Sequence, residues 1–261
     1  MRIAQIAPLQ LRVPPHQYGG IERVISNLTD ALVHRGHDVT LFATGDSQTA
    51  AKLSEWLPCG VNFDPGVDIS AYHISLLTEV YGQADKFDII HSHLEHLTLP
   101  FAASSKTASV LTLHYAPTYP EFARALGMYN ANYVAISHHQ STSQPELSWA
   151  GMVYSGINVS EFPFYPEPGD YLAFVGRITP KKRPDYAIEV AQRARIPLKI
   201  AAQVHPKHQQ YFERAIAPLL DSPLIEFLGE VDEPTKRELM GHALALLMPI
   251  DWPEPFGMVF I

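Results

Sequence analysis

The chain is poor in cysteine, in long apolar runs and in the spacings that mark several large enzyme classes, and each shortage removes a class of function. A single cysteine, Cys59, rules out an intrachain disulfide and a thiolate metal cluster. No stretch approaches the roughly 18 to 20 apolar residues of a membrane-spanning helix, and Met1 to Pro8 is too short and strand-like for a signal peptide. The expectation is a cytoplasmic protein without a transmembrane segment. The 13 histidines are scattered with no HExxH spacing, so no metal site is expected. Lys and Arg number 19 against 27 for Asp and Glu, and the net charge of −8 argues against a nucleic-acid partner. The GxGxxG dinucleotide fingerprint is missing where a first strand meets a first helix.

What is there is a folded chain of 261 residues, 46% hydrophobic and 18% charged, with room for one large or two medium domains. Arg2 to Ala7 reads as an apolar strand, Pro8 to Tyr18 as a Pro-containing loop ending in Gly19-Gly20, and Ile21 to Arg35 as a helix. Gly36 ends that helix before a strand at Asp38 to Ala43. This βαβ unit implies a parallel sheet covered by helices. Further strands are expected at Asp88 to His91, Ser109 to His114 and Tyr133 to Ser137, each ending in a polar residue. His91 and His93 alternate along a strand-like run and so project to one face.

Around Val153 to Gly169 the hydrophobic periodicity stops, and Phe162-Pro-Phe-Tyr-Pro-Glu-Pro-Gly169 reads as a semi-rigid linker. The pattern then restarts. Strands are expected at Tyr171 to Val175, Leu198 to Ala202, Ile225 to Leu228 and Leu244 to Ile250, with helices at Asp185 to Ala194, Lys207 to Leu220 and Glu233 to Ala243. The fold class is α/β: a first Rossmann-like domain at 1–160 and a second, partial one at 161–261.

Three stretches carry chemistry. Two glycines at Gly19-Gly20 let backbone approach a ligand closely, and the N–H groups opening the next helix favour phosphate, although turns use glycine everywhere. The cations Arg177, Lys181, Lys182 and Arg183 follow a strand and precede a helix, a place suited to a small anion. Glu254 stands between Pro253 and Pro255 after the last strand, so its carboxylate is presented from a restricted backbone at the edge where open α/β sheets bind ligands. His114 fits either a partly exposed strand-end histidine or a functional one.

Taken together, Tyr18-Gly-Gly-Ile-Glu-Arg23, Gly176-Arg-Ile-Thr-Pro-Lys-Lys-Arg-Pro184 and Trp252-Pro-Glu-Pro-Phe-Gly257 resemble the retaining glycosyltransferases of family 4 (glycosyl transferases group 1), which have the GT-B fold. The resemblance implies transfer of a sugar from a nucleotide-sugar donor to a sugar, lipid or small-molecule acceptor, with retention and without a metal or other cofactor. It places Arg177 and Lys182 on the donor diphosphate, Glu254 on the donor sugar hydroxyls, His114 beside the transferred sugar, and Gly19, Gly20 and Gly257 on the donor side. His93 and Ser137 fall on the acceptor side. Lys181 stands where similar proteins often have glutamate and Arg183 where they often have glycine. The second glutamate of the motif would fall one position beyond Ile261, so the expectation is a truncated second domain with crippled activity. The rival readings are a sugar-nucleotide epimerase of the same architecture and a non-catalytic nucleotide-sugar-binding module.

Overall fold

The computed structural model describes residues 1–115, 120–167 and 169–261, so Pro168 of the expected linker lies outside the described residues. The chain forms two units, one of residues 1–15, 19–157 and 255–258, the other of residues 16–18, 158–254 and 259–261. Among the described residues no helix is long and apolar enough to cross a membrane.

The first unit runs β1 (Arg2–Ile6), α1 (Gly20–His34), β2 (Asp38–Ala43), β3 (Lys52–Glu55), α2 (Ile69–Gly82), β4 (Ile89–Ser92), α3 (Leu99–Ser104), β5 (Ala108–Leu113), α4 (Pro120–Gly127), β6 (Asn132–Ala135), α5 (His138–Ser143) and β7 (Trp149–Met152). Its strands form one seven-stranded sheet in the order β3-β2-β1-β4-β5-β6-β7, all pairs parallel. Because side chains alternate across a strand, Ala4, Ile6, Phe42 and Ile90 meet Leu76, Leu77 and Val80 of α2. Leu41 and Ala43, with Ala7 and Val13, cluster instead with Ile25 of α1. Helices thus cover both faces, as parallel strands require.

The second unit runs β8 (Leu172–Arg177), α6 (Pro184–Ala194), β9 (Leu198–Gln203), a one-turn α7 (Gln209–Tyr211), β10 (Ile225–Gly229), α8 (Glu233–Gly241) and β11 (Ala245–Leu246), in the parallel order β10-β9-β8-β11. Phe174, Ile188, Leu198, Ile200 and Ile216 form its largest core. Two expectations need correction. The helix at Lys207 to Leu220 is a chain of short pieces, α7 followed by a wide π turn at Phe212–Ile216 and a tight turn at Ala217–Leu219, where Pro218 cannot supply a helical N–H. The buried strand at Leu244 to Ile250 is only two paired residues with Leu244 47% exposed, because among the described residues β11 lies at the sheet edge beside β8.

Both sheets are doubly wound, and the strand order reverses between β1 and β4 in the first and between β8 and β11 in the second. In such sheets ligands bind beyond the C-terminal ends of the strands flanking the reversal.

Candidate functional site

In the second unit the loops after β8 and β11 are joined by a backbone bond from the N–H of Asp251 to the carbonyl of Lys181, 2.9 Å. Lys182 Nζ donates to Glu254 Oε2 at 2.5 Å, and the Trp252 indole N–H donates to the same oxygen at 2.8 Å. The Lys182 and Glu254 side chains are 12% and 17% exposed, so the pair is largely shielded from water. Lys181 lies over the Trp252 ring at 4.7 Å. Arg177 closes β8 on the same edge. Its field helps hold His205 and His208 below the ordinary histidine range, after burial as the first cause for both and together with Lys207. Arg177, Lys182 and Glu254, expected from the sequence on the donor side, lie at this reversal point. Trp252 joins them as a further donor on the carboxylate, and His205 and His208 follow β9, where the run His205-Pro-Lys-His208 is their signal.

Arg183 adopts a left-handed conformation, φ 52° and ψ 51°, of the kind that favours glycine. Its guanidinium makes a fork to Asp185 at 2.8 and 3.1 Å and lies over the Tyr186 ring at 3.2 Å. The loop keeps a glycine-type turn with a charged residue in it, held by its own neighbours.

In the first unit Gly19 and Gly20 differ in kind. Gly19 has φ +144°, and a Cβ there would lie 2.6 Å from Pro15 Cβ; at Gly20 a Cβ would meet nothing within 4 Å among the described residues. Gly19 is needed by the fold, whereas the bare backbone of Gly20 is not. Gly257 has φ 81°, again a left-handed conformation that favours glycine.

His114 follows the end of β5 and is 9% exposed. Its Nε2 lies 2.9 Å from Nδ1 of His93, which is 2% exposed and whose Nε2 lies 3.1 Å from Gln5 Oε1. His93 therefore stands behind His114, with both ring nitrogens engaged. Ser137 Oγ accepts from the N–H of Gln140 at 3.0 Å and caps α5. Glu95 Oε1 accepts from the backbone N–H groups of His114 and Tyr115, at 3.1 and 3.2 Å. Glu95 has φ 48°, a strained conformation of the kind that clusters at functional sites, and it carries no distinctive signal in the sequence.

Burial sets the protonation of this unit. It pulls His73 and His91 down to about 4, His114 to about 3 and His93 well below the usual range, and pushes Glu22 and Glu95 up to about 7. A histidine lowered in the folded state contributes stability that is present above about 6.5 and lost as pH falls toward its folded value. A carboxyl raised in the folded state contributes stability present below about 4.5 and lost as pH rises through about 7. Burial lowers His96 as well, so between about pH 6 and 4.5 five histidines oppose two carboxyls, and acidification should destabilise the unit by at least one net proton, about 1.4 kcal/mol per pH unit. Melting temperatures measured across this window check it. A midpoint that holds or rises on acidification would show that the histidines are not neutral in the fold.

The Glycosyltransferase Family 4 model matches residues 18–143 and the Glycosyl transferases group 1 model matches residues 160–261. No curated protein matches the chain in sequence. Among solved structures, AviGT4, a glycosyltransferase involved in avilamycin A biosynthesis, aligns with a TM-score of 0.73 and 22% identity over 99% of this chain and 74% of its own. The catalytic domain of starch synthase IV from Arabidopsis thaliana, bound to ADP and acarbose, aligns at 0.70 and 13% identity over 98% of this chain and 79% of its own. A UDP-N-acetylglucosamine 2-epimerase from Rickettsia bellii aligns at 0.58 and 11% identity over 94% and 73%. Identities this low speak for the shared architecture, while the two family models between them take in most of the sequence. The chain belongs to the glycosyltransferases of family 4 and group 1, on a GT-B fold.

Proposed function

We propose that the chain transfers a sugar from a nucleotide-sugar donor to a sugar, lipid or small-molecule acceptor with retention of configuration, residues 1–160 serving the acceptor and 161–261 the donor. The observation that carries this reading is the shielded Lys182–Glu254–Trp252 cluster at the strand-order reversal of the second sheet, with Arg177 at the end of the adjoining strand. A diphosphate gains negative charge as the glycosidic bond breaks, and cations already fixed in place stabilise it without reorganising. Arg177 and Lys182 supply that charge, Glu254 accepts from donor-sugar hydroxyls, and Gly257 lets the turn that follows form. In this reading no metal or other cofactor takes part. The bond from the anomeric carbon to the leaving phosphate breaks, a bond from that carbon to the acceptor oxygen forms on the same face, and the acceptor proton passes to the leaving phosphate. No protein nucleophile is required. Starch synthase IV, solved with ADP and acarbose, offers a relative of the same fold holding a nucleoside diphosphate and a saccharide.

The test is a screen of nucleotide sugars against an acceptor panel, with product mass and anomeric configuration read by mass spectrometry and NMR. A glycosylated acceptor of unchanged anomeric configuration is expected. Interconversion of the donor sugar without an acceptor would identify an epimerase, and donor binding without either reaction a non-catalytic module.

The two glycines give a sharper expectation. Gly19→Ala should lower stability by about 1–3 kcal/mol, through its disfavoured backbone and the collision with Pro15. Gly20→Ala should leave the melting temperature unchanged or slightly raised, since alanine suits a helix better than glycine. It should still reduce turnover, because its methyl group fills space the reading reserves for substrate. Unimpaired turnover in Gly20→Ala would remove this loop from the substrate site.

A further inference from the structure

Five side chains from the β1, β4 and β5 segments of the first unit form one hydrogen-bonded row that ends at His114. Thr112 Oγ1 lies 2.7 Å from His91 Nε2, and His91 Nδ1 lies 3.3 Å from Gln5 Nε2. Gln5 Oε1 lies 3.1 Å from His93 Nε2, and His93 Nδ1 lies 2.9 Å from His114 Nε2. Gln5 and His91 are register partners on β1 and β4, the strands that flank the reversal of strand order. The His91 and His93 ring centres are 4.4 Å apart and those of His93 and His114 5.1 Å apart. Imidazolium ions this close in a buried row with no carboxylate member would repel strongly, so each ring is neutral and carries one N–H.

In such a row one assignment sets the rest. Gln5 Oε1 only accepts, so His93 holds its proton on Nε2 and its Nδ1 is a bare acceptor. His114 must then donate from Nε2. On the other side Gln5 Nε2 only donates, so His91 holds its proton on Nε2 and donates to Thr112. Turning the Gln5 amide over would reverse every bond in the row and give His114 the opposite tautomer. Gln5 is fully buried, and its two amide atoms face two different rings, which ties the sense of the row to this one side chain.

We infer that Gln5 and His93 are positioning residues that hold His114 as its Nε2–H tautomer, so that its Nδ1 lone pair accepts a hydrogen bond from a hydroxyl of the bound ligand. The Nδ1 atom has no partner among the described residues. The identity of the ligand rests on the transfer reading above; the tautomer does not. A site built this way favours a sugar that presents a hydroxyl at this point over one that presents only an acceptor there. Burial, which pulls all three histidines below their ordinary range, agrees with neutral rings.

The experiment is nitrogen-15 NMR of the histidine side chains in the intact chain without added ligand. His114 should show a protonated Nε2 and a bare Nδ1, with N–N coupling across the hydrogen bond to His93. Gln5→Met, similar in length and without the amide, should replace the single tautomers of His93 and His114 by averaged signals. His73, whose Nε2 accepts from the Leu9 N–H at 3.1 Å, should stay unchanged. A proton on His114 Nδ1 in the wild-type chain overturns the inference, and so does an unaltered His114 tautomer in a folded Gln5→Met. Should that variant not fold, the wild-type spectrum decides alone. The measurement needs no donor or acceptor, so the expected tautomer combined with a failed transfer assay would condemn the transfer reading and leave this one standing.

Discussion

Arg177→Ala and Lys182→Ala should each weaken binding of a nucleoside diphosphate about ten- to a hundredfold while leaving binding of the bare nucleoside nearly unchanged. A hydrogen bond to a charged group contributes about 1.5–3 kcal/mol, and 1.4 kcal/mol is about tenfold in affinity. The two residues reach the site differently, Arg177 from the end of β8 and Lys182 from the loop beyond it. Among the described residues Lys182 and the Trp252 indole both donate to Glu254 Oε2, so Lys182→Ala leaves that carboxylate with the Trp252 bond. Part of its effect should therefore appear as a modest loss of stability, and Arg177→Ala should show less of it. Lys181→Ala is the comparison: its ammonium lies over the Trp252 ring, and removing it should cost less than either of the others. Titration calorimetry with paired nucleoside and nucleoside diphosphate reads the difference directly. Equal weakening of both ligands would take Arg177 and Lys182 off the phosphate.

The elements legible in the sequence are those whose burial is complete on both faces or one. β2 is expected and found at Asp38 to Ala43, and α1 is displaced by one residue at each end, because apolar periodicity and Gly36 mark them. The strands missed, β3 and β7, lie at the two edges of the seven-stranded sheet, where Lys52-Leu-Ser-Glu55 and Trp149-Ala-Gly-Met152 need no continuous apolar run. α2 did carry a signal, with Asp68 accepting from the N–H groups of Ser70 and Ala71 ahead of Leu76, Leu77 and Val80. For the candidate site, the cations after β8 and the carboxylate after β11 could be paired on paper, because both loops follow strands. The histidine row could not. Its hints are a lone Gln5 in an apolar strand and the alternations His91-x-His93 and Thr112-x-His114, but which strand lies beside which depends on the sheet order, and only that order makes Gln5 the link between His91 and His93.

His114→Gln should lower kcat about ten- to a hundredfold with little change in melting temperature, whereas His114→Ala should lower both. The difference follows from the two ring nitrogens having separate duties. Nε2 bonds His93 Nδ1 inside the unit, and in His114→Ala that nitrogen is left buried without a partner, a cost of about 1–3 kcal/mol. Glutamine places an amide N–H2 where Nε2 stood and can keep that bond, but it offers no acceptor where Nδ1 stood. If Nδ1 accepts from a sugar hydroxyl during transfer, its loss leaves that hydroxyl donor unsatisfied in the transition state at a cost of about 1–3 kcal/mol, hence the expected fall in kcat. A rise in KM at constant kcat would mean that the bond is made equally in the ground state. Wild-type turnover in His114→Gln, with Ala reducing only the melting temperature, would make His114 a structural histidine, and the catalytic assignment would have to pass to another group near the end of β5, with Glu95 the first to test.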